Sequence, residues 1–258
     1  MPEEFALSLT EVEAVVERTG LPRNWQPFEI LSAGLTMTAH RQAMDEAWDA
    51  LRARGLASGD KLDPDVEDTV RAWTKPDVLI VLYADQFLKG QPRVFYRATI
   101  AGGLGVFSAA KDPGVLFRQV KADRLVDSVI GSLPDYRPVP LREVTVVTGG
   151  PTPEPGDDDP VPGLIVDPGP RRSRRDDDSR AFSQWPMHRA GALDLSLRTT
   201  AGGTLAHQGT GLFFDTEGGR FAMFNTPAGN GQTRRRLIPT NGSHLRNWLH
   251  NTIEESRR

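Results

Sequence analysis

The chain has 258 residues, of which 38% are apolar, with a net charge of −3 and no cysteine. It is long enough for one large domain or two small lobes with a real core. The charge balance offers no global field for nucleic acid, and the missing cysteines exclude disulfides, thiolate catalysis and sulfur-ligated metals. The acidic start Met1-Pro2-Glu3-Glu4 lacks the basic residues and apolar run of a secretory signal, and no apolar run reaches the roughly 20 residues of a membrane span. A soluble cytoplasmic protein is expected, with neither nucleic acid nor membrane as partner.

Ser8 with Glu11, and Thr10 with Glu13, form overlapping capping boxes ahead of a helix striped by Val12, Val15 and Val16; Gly20 and Pro22 end it. Trp25 to Leu31 reads as a short edge strand, because Pro27 cannot donate to a ladder. Thr38 to Arg54 carries Ala43, Met44, Ala47, Trp48 and Leu51 at helical spacing and stops at Gly55. Asp63-Pro64 starts a third helix bearing Val66, Val70 and Trp73. Val78 to Ala84 is a buried strand, Asp85 to Pro92 a loop, and Arg93 to Ala101 alternates as a half-exposed antiparallel strand. Gly102-Gly103 turns it into Gly105 to Ala109; Val115 to Val120 follows, and Asp123 caps a helix with Leu125, Val129 and Leu133.

In the second half, Leu141 to Thr148 reads as a strand. Gly149 to Arg180 holds the triplets Asp157-Asp158-Asp159 and Asp176-Asp177-Asp178, paired arginines and many prolines, a composition expected to stay disordered. Phe182 to Leu197 reads as a helix interrupted at Pro186. Two apolar runs, around Leu212-Phe213-Phe214 and Phe221-Ala222-Met223-Phe224, flank Asp215-Thr216-Glu217-Gly218-Gly219 as a hairpin. Arg235 to Pro239 is a third strand, and Ser243 caps a last helix carrying Leu245, Trp248, Leu249 and Ile253. Shifted back by about 120 residues, Ser243, Leu245, Leu249 and Ile253 fall on Asp123, Leu125, Val129 and Leu133. Each helix follows a three-strand meander. An amphipathic pattern alone also yields such matches, so duplication and coincidence both stand. Duplication would give an α+β fold whose halves, 1–140 and 141–258, are related by a pseudo-twofold and share one sheet.

Nothing in the chain carries a catalytic signature. His40, His188, His207, His244 and His250 include no helical pair at metal spacing. There is no Gly-x-Ser-x-Gly elbow. Gly102-Gly103-Leu104-Gly105 precedes a strand rather than a helix, so it is a turn and not a phosphate cradle. The aspartate triplets lack calcium-loop spacing. No metal or cofactor is expected. Phe87-Leu88 differs, because these two apolar residues sit in a loop between strands. They either fold over the sheet edge or anchor a protein partner.

Several stretches together resemble the EspG family, the secretion-associated chaperones of actinobacterial ESX (type VII) systems. Leu9-Thr10-Glu11-Val12-Glu13 is similar to the family's first helix. The segment from Met44 to Leu56, with Ala47-Trp48, Leu51 and Arg54-Gly55-Leu56, resembles its A-W-x-x-L-x-x-R-G-L, and Leu62-Asp63-Pro64-Asp65-Val66 continues it. Gly211 to Phe221 resembles its D-T-x-x-G-R-Y hairpin, and the helix at Ser243 its D-x-x-x-L-x-x-L ending. The acidic, Arg-rich insertion departs from the pattern, and Arg235 to Pro239 replaces a tryptophan-containing strand. The resemblance implies a central antiparallel sheet with flanking helical bundles. It also implies a chaperone, not an enzyme, that binds the apolar helical tip of a PE/PPE-like heterodimer or WXG100-like secretion substrate. By the same resemblance, the loop Asp85, Gln86, Phe87, Leu88 and Gly90 contributes to binding. A non-catalytic scaffold that homodimerises through the edge at Trp25 to Leu31 is the alternative, and an enzyme or nucleic-acid module with a dispersed site a third reading.

Overall fold

The computed structural model describes residues 4–88, 90–148, 180–199 and 203–256. The expected disordered insertion, apart from Arg180, lies outside the described residues. Strand β1 (Glu4–Ser8) leads into α1 (Leu9–Thr19), followed by α2 (Met37–Ala53), the short pair β2 (Ala57–Ser58) and β3 (Lys61–Leu62), and α3 (Pro64–Thr74). Four strands come next, β4 (Val78–Gln86), β5 (Val94–Ala101), β6 (Leu104–Lys111) and β7 (Gly114–Lys121), then a 3-10 turn and α4 (Leu125–Gly131). The second half holds β8 (Val144–Thr148), β9 (Met187–Arg198), β10 (Leu205–Thr216), β11 (Gly219–Gly229), β12 (Gln232–Pro239) and α5 (Ser243–Glu255).

Ten strands form one antiparallel sheet in the order β1-β7-β6-β5-β4-β9-β10-β11-β12-β8. The order shows the repeat. Each half is an edge strand, a four-strand meander and a helix, and the edge strand pairs with the last strand of its own meander. The halves meet where β4 and β9 run antiparallel, from Val78 opposite Leu197 to Gln86 opposite Arg189. The helices equated by the sequence shift pack over this join: Leu125, Val129, Leu133, Leu245, Leu249 and Ile253 are all buried in one core with Ile80, Leu82, Leu193 and Leu195. Each such side chain contributes about 1.5–3 kcal/mol.

Local signals explain much of the first half. Ser8 Oγ accepts from Glu11 N while Glu11 Oε2 accepts from Ser8 N, completing the box at α1. Gly20, at φ 64°, closes the helix in the left-handed conformation. Asp63 accepts from Asp65 N at 3.0 Å to open α3. Helices α1, α2 and α3 cover the sheet face opposite α4 and α5. There Trp48, Val66, Trp73, Val106, Val115 and Phe117 form a second core.

Several expectations are corrected. Phe182 to Leu197 is mostly strand β9 rather than helix, so each meander has four strands, not three. Trp25 to Leu31 is not a strand; Gln26 O accepts from Arg97 Nη1 at 2.6 Å, the Phe28 ring lies 5.9 Å from that of Trp73 on α3, and Ile30 is buried in the same core. The edge proposed for a homodimer is therefore absent from the sheet, and β1, unforeseen, takes that position. Strand β5 is covered on both faces rather than half-exposed, with Arg97 and Thr99 both fully buried. Burial lowers the Arg97 pKa to about 9. Neither Asp123 nor Ser243 is an N-cap; those positions fall to Arg124 and Gly242, without side-chain cap bonds. The second box at α1 is also missing. Glu13 turns inward and accepts from Ser32 Oγ and Ala33 N instead.

Candidate partner-binding site

The loop singled out in the sequence joins β4 to β5, the two strands of the first half nearest the join, and lies against the start of β9. Its first two residues, Asp85 and Gln86, belong to β4 and pair with Ala190 and Arg189. The loop proper is therefore shorter than expected. Its stem is fastened: Arg93 pairs with Asp85, Gln86 Nε2 donates to Pro92 O at 2.9 Å, and Arg189 Nη2 donates to Gln86 Oε1 at 2.6 Å. Phe87 N donates to His188 O at 2.9 Å, continuing the ladder beyond the strand. Gly90 supplies the turn at φ 83°.

The tip held by this stem is apolar and faces water. Phe87 is 57% exposed and Leu88 42%. Folding over the sheet edge would have buried them, so that reading fails. A fixed stem under an exposed apolar tip is preorganised, which lowers the entropy cost of docking.

Beside the tip, on the face opposite α4 and α5, lies a groove of about 420 Å³ lined by Phe182, Trp185, Met187, Phe214, Met223 and Val146. Met187, 40% exposed, leads from the tip side into it. The corresponding face of the first half is occupied by α1, α2 and α3. Trp185 lies flat on the β10–β11 hairpin: a Cβ on Gly218 would sit 2.3 Å from its ring. Arg180 and Arg235 stand at the rim. The groove is not legible in the sequence, where Phe182 to Leu197 reads as a helix interrupted at Pro186. The signal was present in the alternation of Leu193, Leu195 and Leu197, which belongs to a strand.

The sequence shows no helical histidine pair at metal spacing. His40 does approach Glu13 and Glu17, the three ligand atoms lying within 4.8 Å of one another. Their geometry is that of a loop clamp. His40 Nδ1 meets Ala33 O at 2.8 Å and Nε2 meets Glu17 Oε2 at 3.0 Å, while Glu13 holds Ser32 and Ala33. The Ala33 carbonyl first, then Glu17, raises the His40 pKa above 6.5. The Gly102-Gly103 turn joins β5 to β6, as expected, and offers no helix terminus to a phosphate.

The sequence model of the EspG family matches residues 8–251. The chain belongs to the EspG family. Among solved structures it is similar to the type VII secretion system chaperone EspG5 of Mycobacterium tuberculosis, determined in complex with the PE25–PPE41 dimer; the likeness covers 94% of this chain and 93% of that one, with a TM-score of 0.59 and 10% identity. No curated protein matches. At 10% identity the shared fold carries no residue-by-residue transfer of contacts. No helix among the described residues is long and apolar enough to cross a membrane.

Proposed function

We propose that this EspG-family protein is a cytosolic, non-catalytic chaperone of a type VII secretion system, holding the helical tip of a PE/PPE-like heterodimer. The observation that carries this reading is the family match together with a shared fold: the EspG5 structure, alike over nearly the whole chain, holds a PE–PPE dimer. The Phe87–Leu88 tip and the adjoining groove supply the physics. An exposed apolar helix end self-associates, and a preorganised apolar surface keeps it soluble. Reading this surface as a binding site requires no reacting group, in accord with a chaperone.

The test is co-expression with a PE/PPE-like heterodimer. Co-elution of all three chains as one complex is expected. A PE/PPE pair that is soluble alone, together with no shared peak, overturns the reading.

A further inference from the structure

The sheet ends in two edges, and they are finished differently. At β1, Arg54 Nη1 donates to Ala6 O at 2.9 Å while its Nη2 reaches Glu11 Oε1 at 2.7 Å, so a side chain bridges the strand. Strand β8, at the other end, reads Val-Thr-Val-Val-Thr. It carries no charge and no proline, and Val147 is 47% exposed. Among the described residues no side chain bonds to its backbone. Open, uncharged, β-branched edges invite strand addition, and native sheets blunt them unless they are used.

The neighbouring strand says what fits. Arg234, Arg235 and Arg236 of β12 lie opposite Val147, Val146 and Thr145 of β8, and all three are exposed. Arg236 has a carboxylate partner, Glu143 at 2.8 Å. Arg235 has only Asn225 Oδ1 at 3.4 Å, and Arg234 has no partner among the described residues. Among the described residues the edge therefore holds surplus positive charge. A second copy paired edge to edge would bring like charge to like. An acidic strand would be complementary.

We propose that β8 is a docking edge for an extended, acidic segment of a partner polypeptide, added as a further strand. Residues two apart on a strand share a face, so carboxylates at alternate positions would face Arg234 and Arg236, and β-branched residues between them would lie beside Val146. Strand β8 lies apart from the Phe87–Leu88 tip but shares Val146 with the adjoining groove, whereas Arg234 and Arg236 do not line it, so the arginine reversals separate a failure of this inference from a failure of the substrate reading.

The test uses the full chain and a fluorescein-labelled peptide alternating aspartate with valine and threonine, read by fluorescence anisotropy. Saturable binding that weakens with added salt is expected. Arg234→Glu with Arg236→Glu, both exposed and thus compatible with folding, should weaken it by about tenfold or more. A peptide of the same composition with the alternation scrambled should bind about tenfold more weakly. Val146→Pro and Val147→Pro provide a second arm. One of two adjacent residues turns its N–H outward, so at least one folded variant, checked by circular dichroism, should lose the peptide. No binding, equal binding of the scrambled peptide, or indifference to the arginine reversals overturns the proposal.

Discussion

Asp215 and Arg220 face each other across the β10–β11 hairpin and form a bidentate pair, Nε to Oδ1 at 2.5 Å and Nη2 to Oδ2 at 3.0 Å, both residues almost wholly buried. Arg220 Nη2 also donates to Pro134 O at 2.8 Å, and Arg189 Nη1 reaches Asp215 Oδ2 at 3.3 Å. Through Arg189 and Gln86 the network runs to the stem of the Phe87–Leu88 loop. The D-T-E-G-G-R hairpin is thus a device that ties the second half's meander to the candidate binding tip.

Removing Arg220 leaves the buried Asp215 carboxylate with only the longer contact to Arg189 at 3.3 Å. Arg220→Met is expected to cost about 3–5 kcal/mol in urea unfolding, and Arg220→Lys, which loses the fork, to recover only part of it. A loss under about 1 kcal/mol for Arg220→Met would show that the pair contributes no net stability.

Phe87→Asp with Leu88→Asp should leave folding within about 0.5 kcal/mol, because both residues are exposed. Affinity for a PE/PPE-like pair should fall by about 2 kcal/mol or more if they are central contacts. Isothermal titration settles it; unchanged affinity removes the tip from the interface. Met223→Glu tests the groove in the same assay.

Gly191 lies opposite Ala84 at the join of the two halves. A Cβ there would meet the Phe213 ring at 2.3 Å and Tyr83 O at 2.8 Å. Gly191→Ala should therefore destabilise by about 2 kcal/mol. Gly131→Ala, with nothing within 4 Å of its Cβ and at a helix end, serves as the control and should be neutral or slightly stabilising. Equal midpoints for the two variants in thermal unfolding would contradict the close packing at the join.

His40 supplies a pH dependence. Its folded pKa is raised above 6.5, so its stabilising contribution is complete below that value and is lost as pH rises through the higher folded pKa. Wild type should therefore exceed His40→Gln in thermal midpoint most at about pH 6 and least at about pH 9. A gap that widens toward alkaline pH would refute the clamp between His40, Ala33 and Glu17.

Legibility in the sequence followed the range of the interactions. The three N-terminal helices show in apolar spacing, in the Ser8–Glu11 box and in Asp63-Pro64, because those signals act within a turn. The hairpins at Gly102-Gly103 and Gly218-Gly219 show because Gly102, Gly103 and Gly219 take positive φ that favours glycine. Phe87-Leu88 was visible as an apolar pair where no core needs one. Strand β1 was invisible, since Glu4 to Ser8 becomes a strand only through Arg118 to Gly114, more than a hundred residues away. Met187 to Arg198 was misread for the same reason: its partners Val78 to Gln86 lie in the other half. Trp25 to Leu31 has strand-like composition, yet Arg97 takes the Gln26 carbonyl that a ladder would need.

Apolar spacing and turn glycines act within a few residues, so the α+β class, the matching helical spacing of Leu125–Leu133 and Leu245–Ile253, and the resemblance to the family are legible along the chain. The ten-stranded sheet shared by both halves, the joint burial of Asp215 and Arg220, and the groove beside the tip appear only in the folded chain. Those features depend on which distant strands pair and on which faces the helices cover, and no local propensity encodes that choice.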